Sequence, residues 1–259
     1  FYMIPKIIHY TWFSGEEFPP QIKRCIESWH KNMPEYDFIC WDSERIKEID
    51  SVWLSETLKE KKWAFAADFV RLYAVYHYGG IYLDTDCLLY KSLNRFLNEE
   101  CFIGKENSIH VEGRSTQMYM TSHCFGAEKQ NEFIGRCLSY YNNRHFKQSE
   151  DNSLPMALKY STVLLPFIQS EIGKQFGYNP YPSKNVIQKL EHLTVFPSSF
   201  FDVASIDENS YCKHLALGGW RDSRTADEKP TLLYKIRWRV ERIFMILANR
   251  LGYLLVKKQ

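Results

Sequence analysis

The stretch Trp63–Leu89, WAFAADFVRLYAVYHYGGIYLDTDCLL, decides how the rest of the chain is read. Phe65, Phe69, Leu72, Tyr73 and Tyr76 recur at spacings of three and four, the period of one helix face, so the first half is a helix. Gly79-Gly80 stops it, because glycine accepts the left-handed geometry that closes a helix C-terminus. Ile81-Tyr82-Leu83 is too short and too β-prone for another helix and reads as a buried strand. Asp84 and Asp86 stand at its tip. Side chains alternate along an extended strand, which predicts both carboxylates on one side. Two carboxylates held together repel unless a cation sits beside them. Hard divalent ions such as Mn2+ or Mg2+ take oxygen ligands of this kind and commonly bring phosphate oxygens with them. The local chemistry is that of a metal and a diphosphate. A solvated turn is the plain alternative for any bare Asp-x-Asp. The apolar runs on both sides, Ile81–Leu83 and Cys87–Leu89, favour a strand edge at a cleft instead.

Composition narrows the class. At 259 residues the chain can bury a substantial core as a single domain. A net charge of +2 argues against a surface built to coat nucleic acid. Seven cysteines without a tight Cys-x-x-Cys spacing read as reduced thiols and offer no zinc pattern. The first residues carry no signal-peptide pattern, and no apolar stretch reaches the length of a bilayer span. These features predict a cytoplasmic protein.

Outward from the central stretch, the chain alternates strand and helix. Ile4–Trp12 has the β-branching of a first strand, with His9 packed inside it and Trp12 at its end beside the Phe13-Ser14-Gly15 turn. Gln21–Asn32 follows Pro19-Pro20 as a helix with Ile22, Cys25, Ile26 and Trp29 on its apolar face. Tyr36–Trp41 is a second strand, and Asp42-Ser43 is set to cap the next helix. This rhythm predicts an α/β fold around a mostly parallel sheet. Later strands are expected near Cys101–Gly104, Thr121–Gly126 and Leu193–Phe196, and two helical pieces between Leu154 and Ile172, split by Pro155 and Pro166. Ser108–Gln117 is polar, contains glycine and reads as a mobile loop.

The run Ala66-x-Asp68-x-x-Arg71, then Leu72-Tyr73, then Gly79-Gly80-Ile81-Tyr82-Leu83-Asp84-Thr85-Asp86, resembles the sugar-binding region of D-x-D glycosyltransferases, and more narrowly glycosyltransferase family 32. The match is good over roughly the first 105 residues, loose in the middle, and returns weakly at Tyr211–Trp220 (YCKHLALGGW). The resemblance implies a GT-A-type fold and retaining transfer of a hexose from a nucleotide-sugar to a saccharide acceptor. A UDP-sugar is favoured and a GDP-sugar is second, with Mn2+ or Mg2+ as cofactor. It implies that Trp12 stacks on the nucleotide base and that Asp68 and Arg71 hold donor sugar hydroxyls, Arg71 also lying near the diphosphate. Asp68 and Arg71 are three apart, hence on one helix face; a local surface ion pair is the alternative. Asp86 is the expected direct metal ligand, with Asp84 on ribose or sugar hydroxyls or on the metal through water. Gly218 and Gly219 would let backbone N–H groups approach a diphosphate, and Trp220 would cover the donor. His214 is read either as a third metal ligand or donor to the leaving phosphate, or as an ordinary strand histidine. A haloacid-dehalogenase-type phosphatase also carries an apolar strand and then Asp-x-Asp, but near its first strand, and it leaves Trp12, Asp68 and Arg71 unexplained. A non-catalytic sugar-binding module is the remaining rival. No nucleic-acid partner is expected.

The chain divides on this reading into a catalytic domain, residues 1–228, and a tail, residues 229–259. From Leu232 to Gln259, Leu233, Ile236, Val240, Phe244, Leu247 and Leu251 recur at helical spacing, and seven Lys and Arg residues are set against Glu241 alone. Such a basic amphipathic helix suits an anionic membrane surface, or else packs on the domain or on a second copy. A lipid-linked acceptor in bacterial surface polysaccharide synthesis, such as capsule or lipopolysaccharide, would favour the membrane.

Overall fold

The structure, a computed structural model, describes residues 3–112, 115–151, 153–203 and 205–217. The expectations for Gly218, Gly219, Trp220 and the helical tail lie outside the described residues.

In chain order the elements are β1 (Ile7–Thr11), α1 (Pro20–Asn32), β2 (Asp37–Trp41), α2 (Val52–Lys59), α3 (Trp63–Tyr78), β3 (Gly80–Leu83), β4 (Cys87–Leu89), β5 (Cys101–Lys105), β6 (His110–Glu112), β7 (Ser115–Gln117), β8 (Met120–Ala127), α4 (Glu132–Ser139), α5 (Met156–Lys159), α6 (Leu165–Gln175), β9 (Gln188–Leu190), β10 (Leu193–Phe196), α7 (Ser198–Phe201) and β11 (Cys212–His214). Seven strands form one sheet in the order β2-β1-β3-β8-β5-β10-β9. β1 is parallel to both β2 and β3, and β5 to β10; β8 runs against β3 and β5, and β9 against β10. Five strands therefore point one way and β8 and β9 the other, the mostly parallel α/β sheet that the sequence predicts.

Both faces of the sheet are covered, which is why its strands are apolar on both sides. In β3, Ile81 and Leu83 face a core shared with Trp29, Phe96 and Phe102, while Tyr82 faces one shared with α3, α4 and α6. The two glycines before β3 are required by close approach. Gly79 has φ +68 and Gly80 φ +107, and a Cβ on Gly80 would lie 2.7 Å from the Ile7 carbonyl oxygen.

Two expectations are corrected here. Ser108–Gln117 is not simply a loop: β6 and β7 pair antiparallel as a hairpin, with the His110 ring stacked 3.9 Å from Tyr119. Asp42 does not cap a helix. Its carboxylate accepts from Glu44 and Arg45 N–H in a run of turns, and the next helix, α2, is capped by Ser51 accepting from Leu54 N–H. Among the described residues no helix is long and apolar enough to cross a membrane, and all seven cysteines are free thiols.

His9 is fully buried, as its place inside β1 predicts. Its Nε2 lies 2.8 Å from the Gly79 carbonyl and Trp41 Nε1–H donates to its Nδ1 at 3.1 Å. These partners select the neutral tautomer with the proton on Nε2, since a proton on Nδ1 would face the indole N–H. Burial is the main cause holding its pKa down to about 4, partly offset by the Gly79 bond. The unfolded chain therefore binds this proton first as pH falls. The stabilising contribution is complete above the ordinary value near 6.5 and is lost as pH drops towards 4. Wild type should lose about 2–3 kcal/mol more between pH 7 and 4.5 than His9→Gln does. Urea unfolding of both proteins at the two pH values measures this; equal losses would contradict it.

Candidate active site

The site forms where the central strands end. β3 stops at Leu83, and Asp84–Cys87 make a turn closed by Cys87 N–H donating to the Asp84 carbonyl at 2.9 Å. Strand alternation therefore does not align the two carboxylates, contrary to the sequence expectation. The turn does, and it is held between buried β3 and β4 with both carboxylates partly buried.

Each carboxylate has its own basic partner, Arg71 for Asp84 and His214 for Asp86. Asp84 accepts from Tyr82 OH at 2.9 Å on one oxygen and from Arg71 Nη1 at 3.3 Å on the other. Arg71 is buried in α3, and its Nη2 lies 3.3 Å from Asp68 while Nη1 also donates to the Ser122 carbonyl at 2.6 Å. Its guanidinium sits 4.7 Å from the Tyr82 ring centroid. Burial works against the Arg71 charge, but Asp84, Tyr82 and Asp68 outweigh it and raise its pKa. Burial lifts Asp68 to about 6 even though Arg71 and the Leu165 backbone N–H pull it down. The Asp68–Arg71 pair is thus no surface ion pair; it is buried, and the same guanidinium also reaches Asp84.

Asp86 is held from the opposite side. β11 pairs antiparallel with β4 and sets His214 opposite Cys87. His214 Nε2 lies 3.1 Å from Asp86 Oδ1, and Leu217 N–H donates to Oδ2 at 3.0 Å. Burial opposes ionisation of Asp86, yet His214 and the Leu217 N–H leave its pKa below the ordinary value. For His214, burial is again the opposing cause and the Asp86 bond wins, raising its pKa. The His214 ring stacks at 4.4 Å on His123, whose pKa burial and the neighbouring His214 lower to about 4. His123 is thereby neutral and its Nε2–H donates to the Phe201 carbonyl at 2.9 Å.

Asp84, Asp86 and His214 each bring a ligand atom within 4.8 Å of the others, the one such group among the described residues. Two carboxylates and an imidazole fit a divalent cation, and the imidazole nitrogen suits Mn2+ better than Mg2+. Both oxygens of each carboxylate already have a partner, Tyr82 and Arg71 on Asp84, His214 and the Leu217 N–H on Asp86, so a cation would add to the Asp84 contacts and replace the His214–Asp86 contact. A coordinating imidazole is neutral, so a metal bound to His214 Nε2 would compete with its contact to Asp86.

Trp12 lies at the end of β1, partly buried rather than in the core. Its Nε1–H donates to the Glu16 carbonyl at 2.7 Å and its ring meets Phe18 at 4.9 Å. The preceding Thr11 Oγ1 lies 3.1 Å from Tyr82 OH, which joins the end of β1 to Asp84. Tyr82, Ser122, His123 and the Leu217 N–H were not singled out by the sequence. For Tyr82 the signal was present, since strand alternation sets it on the face opposite Ile81 and Leu83.

Fold and site together define an α/β protein with a mostly parallel sheet and an Asp-x-Asp turn at the end of a central strand. Residues 19–103 match the family described as "Glycosyltransferase sugar-binding region containing DXD motif". The family 32 resemblance is borne out over this segment. A mannosyl phosphorylinositol ceramide synthase of Saccharomyces cerevisiae is 30% identical over 113 residues, 42% of this chain and 29% of that protein. Inositol phosphoceramide mannosyltransferase 1 of Schizosaccharomyces pombe is 24% identical over 227 residues, 84% of this chain and 62% of that protein. The matches thus span less than two thirds of either relative. Among solved structures the chain is similar to the PaToxG glycosyltransferase, with TM-score 0.47 and 20% identity over 67% of this chain and 70% of that one.

Proposed function

We propose that the protein is a metal-dependent hexosyltransferase that moves a sugar from a nucleotide-sugar to a hydroxyl borne on a glycan or lipid. The observation that carries this reading is the Asp84–Asp86 turn closed by His214 on one side and Arg71 on the other. A UDP-sugar is the first donor to test and a GDP-sugar the second. The relatives are named for mannosyl transfer to inositol phosphoceramide rather than for a bacterial surface polysaccharide. Mannose is accordingly the first hexose to test, and the acceptor reading widens from a lipid-linked saccharide to any lipid-borne polyol or sugar hydroxyl. The tail, residues 229–259, is read as a peripheral anchor on the cytoplasmic face of a membrane.

The difficult step is departure of the nucleoside diphosphate from the anomeric carbon, which develops negative charge on its β-phosphate. Asp86 and His214, with Asp84 beside them, would hold a divalent ion, which when bound would neutralise that charge. Arg71 holds Asp84 in place, and Asp84 and Asp68 orient donor hydroxyls. Retention of anomeric configuration is implied by the family likeness, with the leaving phosphate helping to deprotonate the incoming hydroxyl.

The test is a screen of nucleotide-sugars for Mn2+-dependent hydrolysis and thermal stabilisation; no response to any UDP- or GDP-sugar would overturn the reading. Within it, Trp12→Ala should weaken nucleotide affinity by about 1–3 kcal/mol through lost base stacking, roughly five- to 150-fold. Calorimetry with UDP and GDP in the presence of Mn2+ measures this, and unchanged affinity would remove Trp12 from the donor site.

A further inference from the structure

Eleven large apolar side chains are exposed among the described residues. Scattered singly they would need no explanation. Six of them, Ile109, Val111, Tyr181, Val186, Ile187 and Leu217, belong to segments at one edge of the molecule. β3 and β5 run in the same direction, each opposed to β8, so the loop leaving β5 and carrying Ile109 and Val111 starts at the edge where Asp84 lies. β10 is parallel to β5 and β9 opposes β10, so the segment entering β9, with Tyr181, Val186 and Ile187, lies at that edge too. Leu217 is tied to Asp86 through its N–H.

The segment entering β9 is rigidly held with its polarity inverted. Lys105 is buried and its Nζ donates to the Asn179 and Lys184 carbonyls at 3.0 and 2.7 Å. Gln188 Nε2 donates to the same two carbonyls at 3.0 Å each. The Asn185 side chain exchanges hydrogen bonds with Ser198, at 3.1 and 3.0 Å. Asn185 and Gln188 thus turn inward, while their neighbours Val186 and Ile187 are left 54% and 42% exposed. A fold that spends its polar side chains inside and leaves two adjacent aliphatics outside presents them to something apolar.

The charge of the segment says what. Residues 172–190 contain no acid, and Lys184 and Lys189 are exposed on either side of the aliphatic pair. The acids of the neighbouring hairpin are turned onto their own partners, Glu106 onto His110 at 2.9 Å and Glu112 onto the Tyr119 hydroxyl. Aliphatic tips between lysines, with a half-exposed tyrosine beside them, match the boundary of an anionic bilayer. We propose that this edge seats the protein on an anionic lipid surface, Val186 and Ile187 entering the acyl boundary and Lys184 and Lys189 meeting the headgroups. The proposal rests on the reading of a lipid-borne acceptor and deepens it: the site would open towards the surface that carries its substrate, independently of the tail.

The experiment is amide hydrogen exchange on the full chain with and without vesicles of phosphatidylcholine containing a minority of phosphatidylserine. Exchange should slow several-fold in residues 179–190 and 108–112 and stay unchanged at the opposite edge, in residues 128–131. The double variant Val186→Asp/Ile187→Asp should bind these vesicles about tenfold more weakly. Its nucleotide-sugar hydrolysis in solution and its circular dichroism should match wild type. Protection confined to residues 229–259, absent altogether, or equal on pure phosphatidylcholine would overturn the proposal. So would a change of oligomeric state in the variant without vesicles, which would assign the edge to a second copy of the chain. Absence of hydrolysis in wild type with protection intact would instead overturn the transferase reading and leave the docking edge standing.

Discussion

Asp86→Asn should lower Mn2+-dependent turnover by about 10²–10³-fold and leave the fold in place; that is the result expected on the proposal that Asp86 holds the cation that neutralises the leaving diphosphate. Asp86 accepts from Leu217 N–H and faces His214, and an amide oxygen can still accept the Leu217 bond. What the substitution removes is the negative charge that a cation needs. Repulsion between two carboxylates held together, as the sequence predicts them, would make deleting one of them stabilising in the metal-free protein. The geometry removes that expectation, because Asp84 is already balanced by Arg71 and Asp86 by His214. The variant should therefore gain no stability. Hydrolysis of the preferred nucleotide-sugar, titrated with MnCl2 and then with EDTA, reads the effect, and paramagnetic resonance of bound Mn2+ reads the lost affinity separately. Full activity in EDTA, or in the variant, would sink the metal-dependent mechanism.

The helix, the glycine stop and the buried strand of residues 63–83 were legible because each is set by neighbours in sequence. The register of apolar residues in α3 and the φ values at Gly79 and Gly80 are local properties. Legibility ends where the strand does. Once β3 stops at Leu83, side-chain alternation no longer governs Asp84 and Asp86, and only the turn hydrogen bond relates them. His214 could be suspected but not located, since the pairing of β4 with β11 joins residues about 127 apart, from Cys87 to His214. The β6–β7 hairpin was missed for the same reason: its polar sequence looks solvated, and its order comes from the Tyr119 contacts beyond it. Asp68 and Arg71 read as site residues because the apolar helix leads to the Asp pair, with a surface pair as the less favoured alternative; helical spacing by itself cannot reveal what covers a helix. Packing against β3 and β8 settles their burial.

That burial makes Arg71→Met the substitution with the largest expected effect on stability, about 3–5 kcal/mol lost at pH 7.5. Methionine fills the apolar stem of the side chain, so little of the loss comes from a cavity. The cost lies in what the guanidinium leaves behind. Asp68, buried, loses its nearest positive partner at 3.3 Å; Asp84 loses another at 3.3 Å; and the Ser122 carbonyl loses its donor at 2.6 Å. Wild-type Asp68 already sits at about 6 with Arg71 present, because burial outweighs the attraction. Without Arg71 its folded-state pKa rises further above the unfolded value. A carboxyl whose folded pKa is raised costs stability above that pKa and regains it as the group protonates, so the deficit of the variant should shrink between pH 7.5 and 5. Adding Asp68→Asn removes the stranded charge and should recover part of the loss at pH 7.5, while doing little for it at pH 5. Urea unfolding of wild type, the single variant and the double variant at both pH values separates these contributions. A single-variant loss under about 1 kcal/mol at pH 7.5, the scale of an exposed pair, would mean that Arg71 is not the buried keystone between α3 and the Asp-x-Asp turn.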